Sequence, residues 1–129
     1  MKRSLFLLIT AIFSVLSSCV LLFFPNLVIE SNSWTPSLQI TFLFRLLGGL
    51  VFSLGILNFL VHNHTDTDTL KAVLVCNALN HTINLINDIM SFYQGIASFK
   101  DSIPFILGHL FISIGSLYYL TKIKATNFS

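Results

Sequence analysis

An all-α, polytopic membrane protein, an antiparallel four-transmembrane-helix bundle, is the fold class this sequence predicts, and three observations lead to it. The chain is 54% hydrophobic and only 9% charged, against the roughly 25% charged residues of soluble domains. Its apolar residues gather into four segments, 4–24, 38–61, 70–93 and 103–121, each close to the roughly 20 residues that cross a bilayer. The connections are short, so consecutive helices are expected to run antiparallel. At 129 residues, the chain has room for a single membrane domain, 1–129.

Composition also excludes some classes. A formal net charge of +2, spread along the chain, lacks the basic patch of a nucleic-acid partner. Cys19 and Cys76 are isolated, with neither a CxxC pair nor a Cys/His cluster, so no disulfide framework and no zinc site are indicated. The 13 phenylalanines suit a surface facing lipid.

Along the first segment, Lys2 and Arg3 precede an apolar run, and Leu16-Ser17-Ser18-Cys19 matches the small-residue-then-Cys pattern of a lipoprotein cleavage site. The run stays apolar through Val20, Leu21, Leu22, Phe23 and Phe24, so an uncleaved first helix is the expectation. Pro25-Asn26 is expected to end it, since proline cannot continue the backbone ladder. Thr35-Pro36 then reads as the start of the second helix, with Trp34 at the headgroup interface. That helix carries Arg45 and, a heptad apart, Gly48 and Gly55, whose missing side chains favour close helix contact. In the loop His62-Asn63-His64-Thr65-Asp66-Thr67-Asp68, Thr65 and Asp68 resemble a capping box and the acids suit a helix N-terminus. The alternating His and Asp are weak as metal ligands. Asp101 or Ser102 followed by Pro104 reads as the start of the fourth helix, which carries Gly108 and Gly115, His109, Ser113 and Ser116.

The chemistry gathers on the third helix. At about 100° per residue, Asn77, Asn80, His81, Asn84, Asn87 and Asp88 fall within an arc of about 120°. The opposite face, with Leu79, Ile83, Ile86, Ile89, Met90 and Tyr93, is apolar. Measured from the middle of the second loop near Thr65, Arg45 lies about 20 residues before and Asp88 about 23 after, a mismatch of about 4.5 Å. From the middle of the third loop near Phe99, Asp88 and His109 are nearly equidistant. These three costly residues therefore share a depth, and pairing of Arg45 with Asp88 is the expected remedy for both charges. His81 is expected about two turns deeper, near Gly48-Gly49. Lys2, Arg3, Lys71, Lys122 and Lys124 fall on one side against Lys100 on the other, which predicts cytoplasmic termini in the cell membrane.

The stretches Phe44-Arg45-Leu46-Leu47-Gly48-Gly49-Leu50, Leu54-Gly55-Ile56-Leu57 and Asp66-Thr67-Asp68-Thr69-Leu70-Lys71-Ala72 resemble small uncharacterised bacterial four-helix membrane proteins, broadly similar to the DoxX-like group. The resemblance runs from the second helix to Tyr119 and carries over Arg45 and Gly48 from an Arg-x-x-Gly motif. It implies a four-helix membrane fold; some DoxX-like proteins are associated with quinone-linked or redox membrane complexes.

The sequence thus predicts a non-enzymatic integral membrane protein whose polar layer organises the helices and could bind a small lipid, a quinone or a polar molecule. No nucleophile–base pair, phosphate loop or metal cluster is visible, and no cofactor is required. The alternatives are a transport or proton-handling component, with Asp88 and His109 titrating against Arg45, and an accessory subunit of a membrane redox complex. Beyond the bilayer itself, the partners compatible with the pattern are further copies of the chain or a membrane complex.

Overall fold

Five α-helices and no strand occur among the described residues: α1 (Arg3–Phe23), α2 (Pro25–Ser31), α3 (Leu38–Val61), α4 (Asp68–Tyr93) and α5 (Phe99–Leu120). The computed structural model describes residues 1–96 and 99–123, and for 99–101 the backbone alone. Lys124 and the side chains of Lys100 and Asp101, three of the charged groups in the sequence reading, lie outside the described residues. Among the described residues, three stretches are long and apolar enough to cross a membrane, Arg3–Phe23, Leu38–Val61 and Ser102–Leu120. α4 has the length, at 26 residues, but its polar stripe keeps it out of that set.

The chain divides into two compact units, Met1–His62 and Asn63–Ser129. In the first, α1 and α3 pair as an antiparallel hairpin through small residues. A Cβ added at Gly48 would come within 2.9 Å of Leu22 Cγ and 3.0 Å of Leu21 Cβ. One added at Gly55 would come within 2.9 Å of Val15 Cγ2 and 3.2 Å of Ser14 Cβ. The glycine heptad therefore works as a packing signal, and the space beside Gly48 is filled by α1. The α1 face turned inward includes Thr10, Ser14 and Ser18, all buried. Two of these hydroxyls bond back to their own helix, Thr10 to the Phe6 carbonyl at 3.0 Å and Ser18 to the Val15 carbonyl at 2.7 Å.

Several boundaries differ from the sequence expectation. Pro25 does end α1, but it also occupies the first turn of α2, where its missing N–H costs nothing because that position has no helical acceptor. The expected loop is therefore partly helical and packed. Ile29 is fully buried, the Trp34 N–H donates to the Ile29 carbonyl at 3.1 Å, and the Thr41 hydroxyl donates to Asn26 Oδ1 at 3.0 Å. Ser37, rather than Thr35, caps α3 by accepting from the Ile40 N–H at 3.3 Å. Thr67, rather than Thr65, caps α4 by accepting from the Leu70 N–H at 3.2 Å, with Asp68 in the first turn. α5 begins at Phe99 and holds Pro104 in its interior, so Asp101 and Ser102 are helical residues and not its cap.

In the second unit, α4 and α5 face each other along positions spaced three and four apart. On α4 these are Leu70, Val73, Leu74, Asn77, Ala78 and His81, and on α5 they include Ile112, Ser113, Ser116 and Tyr119, all buried. Gly108 and Gly115 are half-buried on α5. The apolar face of α4, from Leu79 through Ile83, Ile86 and Met90 to Tyr93, is exposed.

Candidate functional site

Ser and Thr in a helix can satisfy themselves on the carbonyl one turn back, but His and Asp cannot do so easily and need partners from elsewhere. The second unit supplies them. His81 Nδ1 and His109 Nδ1 lie 2.7 Å apart, with ring centroids at 5.0 Å and planes tilted by 42°. The other nitrogen of His109, Nε2, is 3.7 Å from Asp88 Oδ2, an ion-pair distance that is longer than a hydrogen bond. Three titratable side chains thus form one continuous run, His81–His109–Asp88. His81 and Asp88 stand a heptad apart on one face of α4, and His109 from α5 fits between them.

The geometry constrains the protons. Two facing Nδ1 atoms can share only one hydrogen, so one ring donates and the other accepts. With Asp88 ionised, His109 holds its hydrogen on Nε2 toward the carboxylate and accepts from His81 at Nδ1. With Asp88 protonated, His109 Nε2 can accept, and the Nδ1 hydrogen then belongs to His109 and points at His81. The same 2.7 Å contact serves both states. A metal ion between those nitrogens would need about 4 Å, twice the usual metal–nitrogen distance. Among the described residues no group of three His, Cys, Asp or Glu side chains is arranged to hold one.

Hydroxyls extend the run along the hairpin. Thr82 Oγ1 and Ser113 Oγ are 2.7 Å apart. Ser116 Oγ is buried without a hydrogen-bond partner, as is Asp88 Oδ2 apart from its ion-pair approach to His109. Asn77 is fully buried on the same face of α4.

The predicted stripe accordingly divides. Asn77, His81 and Asp88 point toward the hairpin interior, and His109 meets the last two. Asn80 and Asn84 form a half-buried flank, where Asn84 Nδ2 donates to the Asn80 carbonyl at 2.9 Å and to its Oδ1 at 3.3 Å. Asn87 is exposed. The described partner of Asp88 is His109, at the shared depth the sequence predicts for them. Arg45 is an exposed residue of α3 in the first unit. His81 finds His109 as its partner, a contact the depth arithmetic did not foresee. The seven-residue spacing of His81 and Asp88 was the available signal: two titratable residues on one face, one heptad apart, leave room for a third group between them. Ser113 and Ser116 were visible on the fourth helix but had no assigned role.

The fold and site define an all-α chain with three helices able to span a bilayer and a titratable seam inside its second hairpin. No protein-family model, curated protein or solved structure matches it.

Proposed function

We propose that this protein is a multi-pass integral protein of the cell membrane, a four-helix bundle with both termini cytoplasmic, that handles protons as a transport component. Membrane residence is supported by the three apolar spans and by long exposed apolar side chains along them, such as Leu16, Leu43, Leu50 and Leu107. Such surface is unfavourable in water and natural in lipid. α4 joins the bundle as a fourth span because Asn77 and His81, which lower its apolarity, are buried in the hairpin while its apolar face points outward.

The observation that carries the proton reading is the contiguous His81–His109–Asp88 run. Intramembrane titratable residues are costly, and chains of Asp and His are a recurrent form of proton relay. A proton on Asp88 Oδ2 passes to His109 Nε2. His109 gives up its Nδ1 hydrogen to His81 Nδ1, and His81 releases its Nε2 hydrogen onward. One proton enters and one leaves, Asp88 is again a carboxylate, and both rings have exchanged tautomers. They reset when the rings turn over.

The test is proton flux into proteoliposomes holding the full chain and a trapped pH dye, driven by a potassium diffusion potential. Wild type should exceed empty liposomes, and His109→Gln and Asp88→Asn should each cut the flux about tenfold or more while keeping helix content. Flux unchanged by either substitution, or wild-type flux no greater than that of empty liposomes, overturns the reading.

A further inference from the structure

We propose that the second hairpin is a proton half-channel, open at Asp88 and closed by an apolar plug beyond Asn77 and Ser116. This rests on the proton-handling reading and deepens it by naming the direction of access, the last polar station and the barrier.

Exposure falls in one direction along the seam. The Asp88 side chain is 27% exposed and that of His109 18%; His81 is 6% exposed, and Asn77 and Ser116 are at 0%. Asp88 Oδ2 is itself buried against His109, so the carboxylate has one side toward the outside and one toward the relay. Ser116 lies one turn beyond Ser113, whose partner is Thr82, and so comes level with Asn77, about one turn beyond His81. Its hydroxyl is fully buried and has no partner. Alanine would fit the same space without burying an unsatisfied hydroxyl. Where an acceptor stands beyond it, as a hydroxyl introduced into the plug would, the Ser116 hydroxyl takes a proton at oxygen from the His81 side as its own hydrogen passes to that acceptor, and it stays neutral throughout.

Beyond Ser116 the inward positions of α4 toward its Asp68 end are the apolar Leu74, Val73 and Leu70, with Tyr119, which keeps a hydroxyl, opposite on α5, and all four are buried. From Asn77 to Leu70 this buried stretch spans about 10 Å. Narrow apolar constrictions of this kind block conduction by excluding water. The plug is therefore the slow step, and Ser116 is the last polar group on the relay side of it.

The experiment uses the full chain in the same dye-loaded proteoliposomes. Leu74→Ser and the nearly isosteric Val73→Thr put a hydroxyl into the plug, the second with little change in volume in case the first does not fold. Each should raise proton flux about fivefold or more. Ser116→Ala should remove most of that gain and His109→Gln should abolish it, whereas Leu79→Ser on the exposed outer face should leave flux at the wild-type level. A raised flux that survives His109→Gln is a leak outside the seam and overturns the half-channel. Wild-type flux that depends on His109 but ignores Leu74→Ser, Val73→Thr and Ser116→Ala overturns the plug and leaves the proton reading standing. Absence of any His109-dependent flux in wild type and plug variants alike overturns both.

Discussion

The two hairpins use polar residues in opposite ways. Between α1 and α3, Asn58 donates to the Leu54 carbonyl of its own helix at 2.8 Å, and the remaining buried polar side chains are small hydroxyls, of which Thr10 and Ser18 spend their hydrogen bonds on their own helix. They present a smooth, narrow face to Gly48 and Gly55, and the backbones approach closely. Between α4 and α5 the polar groups include the buried imidazole of His81 and the half-buried one of His109, with a carboxylate beside them, and they reach across to each other. The first arrangement needs only shape, whereas the second commits side chains to proton-dependent contacts. The lesson is that polarity inside a helical hairpin points to chemistry when the polar groups cannot be satisfied locally.

The comparison is broken most strongly by filling the close contact of the first hairpin. Gly55→Val would bring new atoms against Val15, whose backbone nitrogen is only 3.2 Å from the added Cβ and cannot swing aside. A loss of about 1–3 kcal/mol is expected from overpacking, read as earlier unfolding of the full chain in a detergent titration. Gly49→Ala is the internal contrast. Nothing lies within 4 Å of its Cβ, so the gain in helix propensity over glycine, up to about 1 kcal/mol, should appear as unchanged or higher stability. If both substitutions destabilise alike, the first hairpin is not held by close approach at Gly55.

A smaller effect is expected from His81→Leu in the second hairpin. It leaves His109 Nδ1 buried without its 2.7 Å partner, which costs about 1–3 kcal/mol, partly offset by the apolar gain of leucine. Double-mutant analysis with His109→Leu separates pair from site: the double variant should be less destabilised than the two single losses added together. Simple additivity would mean that the two rings do not interact energetically.

How much of this was legible in the sequence follows from what each feature depends on. The heptad of Gly48 and Gly55 could be read because helix periodicity alone puts both on one face. The stripe on α4 could be read for the same reason, and the common depth of Asp88 and His109 followed from counting residues from a loop. The His81–His109 contact was not legible, because it depends on the rotation of α5 about its axis and on a side-chain reach longer than the rise between layers. The span 38–61 of α3 was read correctly, but the capping residues of α3 and α4 were missed by two positions, because Thr35 and Ser37, and Thr65 and Thr67, offer equivalent hydroxyls, and only backbone geometry decides which one caps. α2 was missed because a proline that stops one helix is also well suited to begin the next.

The smallest effects distinguish the hairpins most sharply, because they compare the same change, Ser→Ala, at two fully buried sites. Ser18 donates to the Val15 carbonyl at 2.7 Å, so Ser18→Ala removes a made bond and should lower stability by about 0.6 kcal/mol, the average worth of a hydrogen bond in a membrane protein. Ser116 makes no such bond, so Ser116→Ala removes an unsatisfied hydroxyl and should leave stability unchanged or slightly raised. The readouts then cross: Ser18→Ala should weaken the fold without altering proton flux per folded molecule, and Ser116→Ala should lower flux without weakening the fold. Equal stability losses at the two sites would mean that Ser116 is bonded after all and serves packing, as Ser18 does. A residue kept at an energetic disadvantage to the fold belongs to function, and detergent unfolding paired with the flux assay decides whether Ser116 is one.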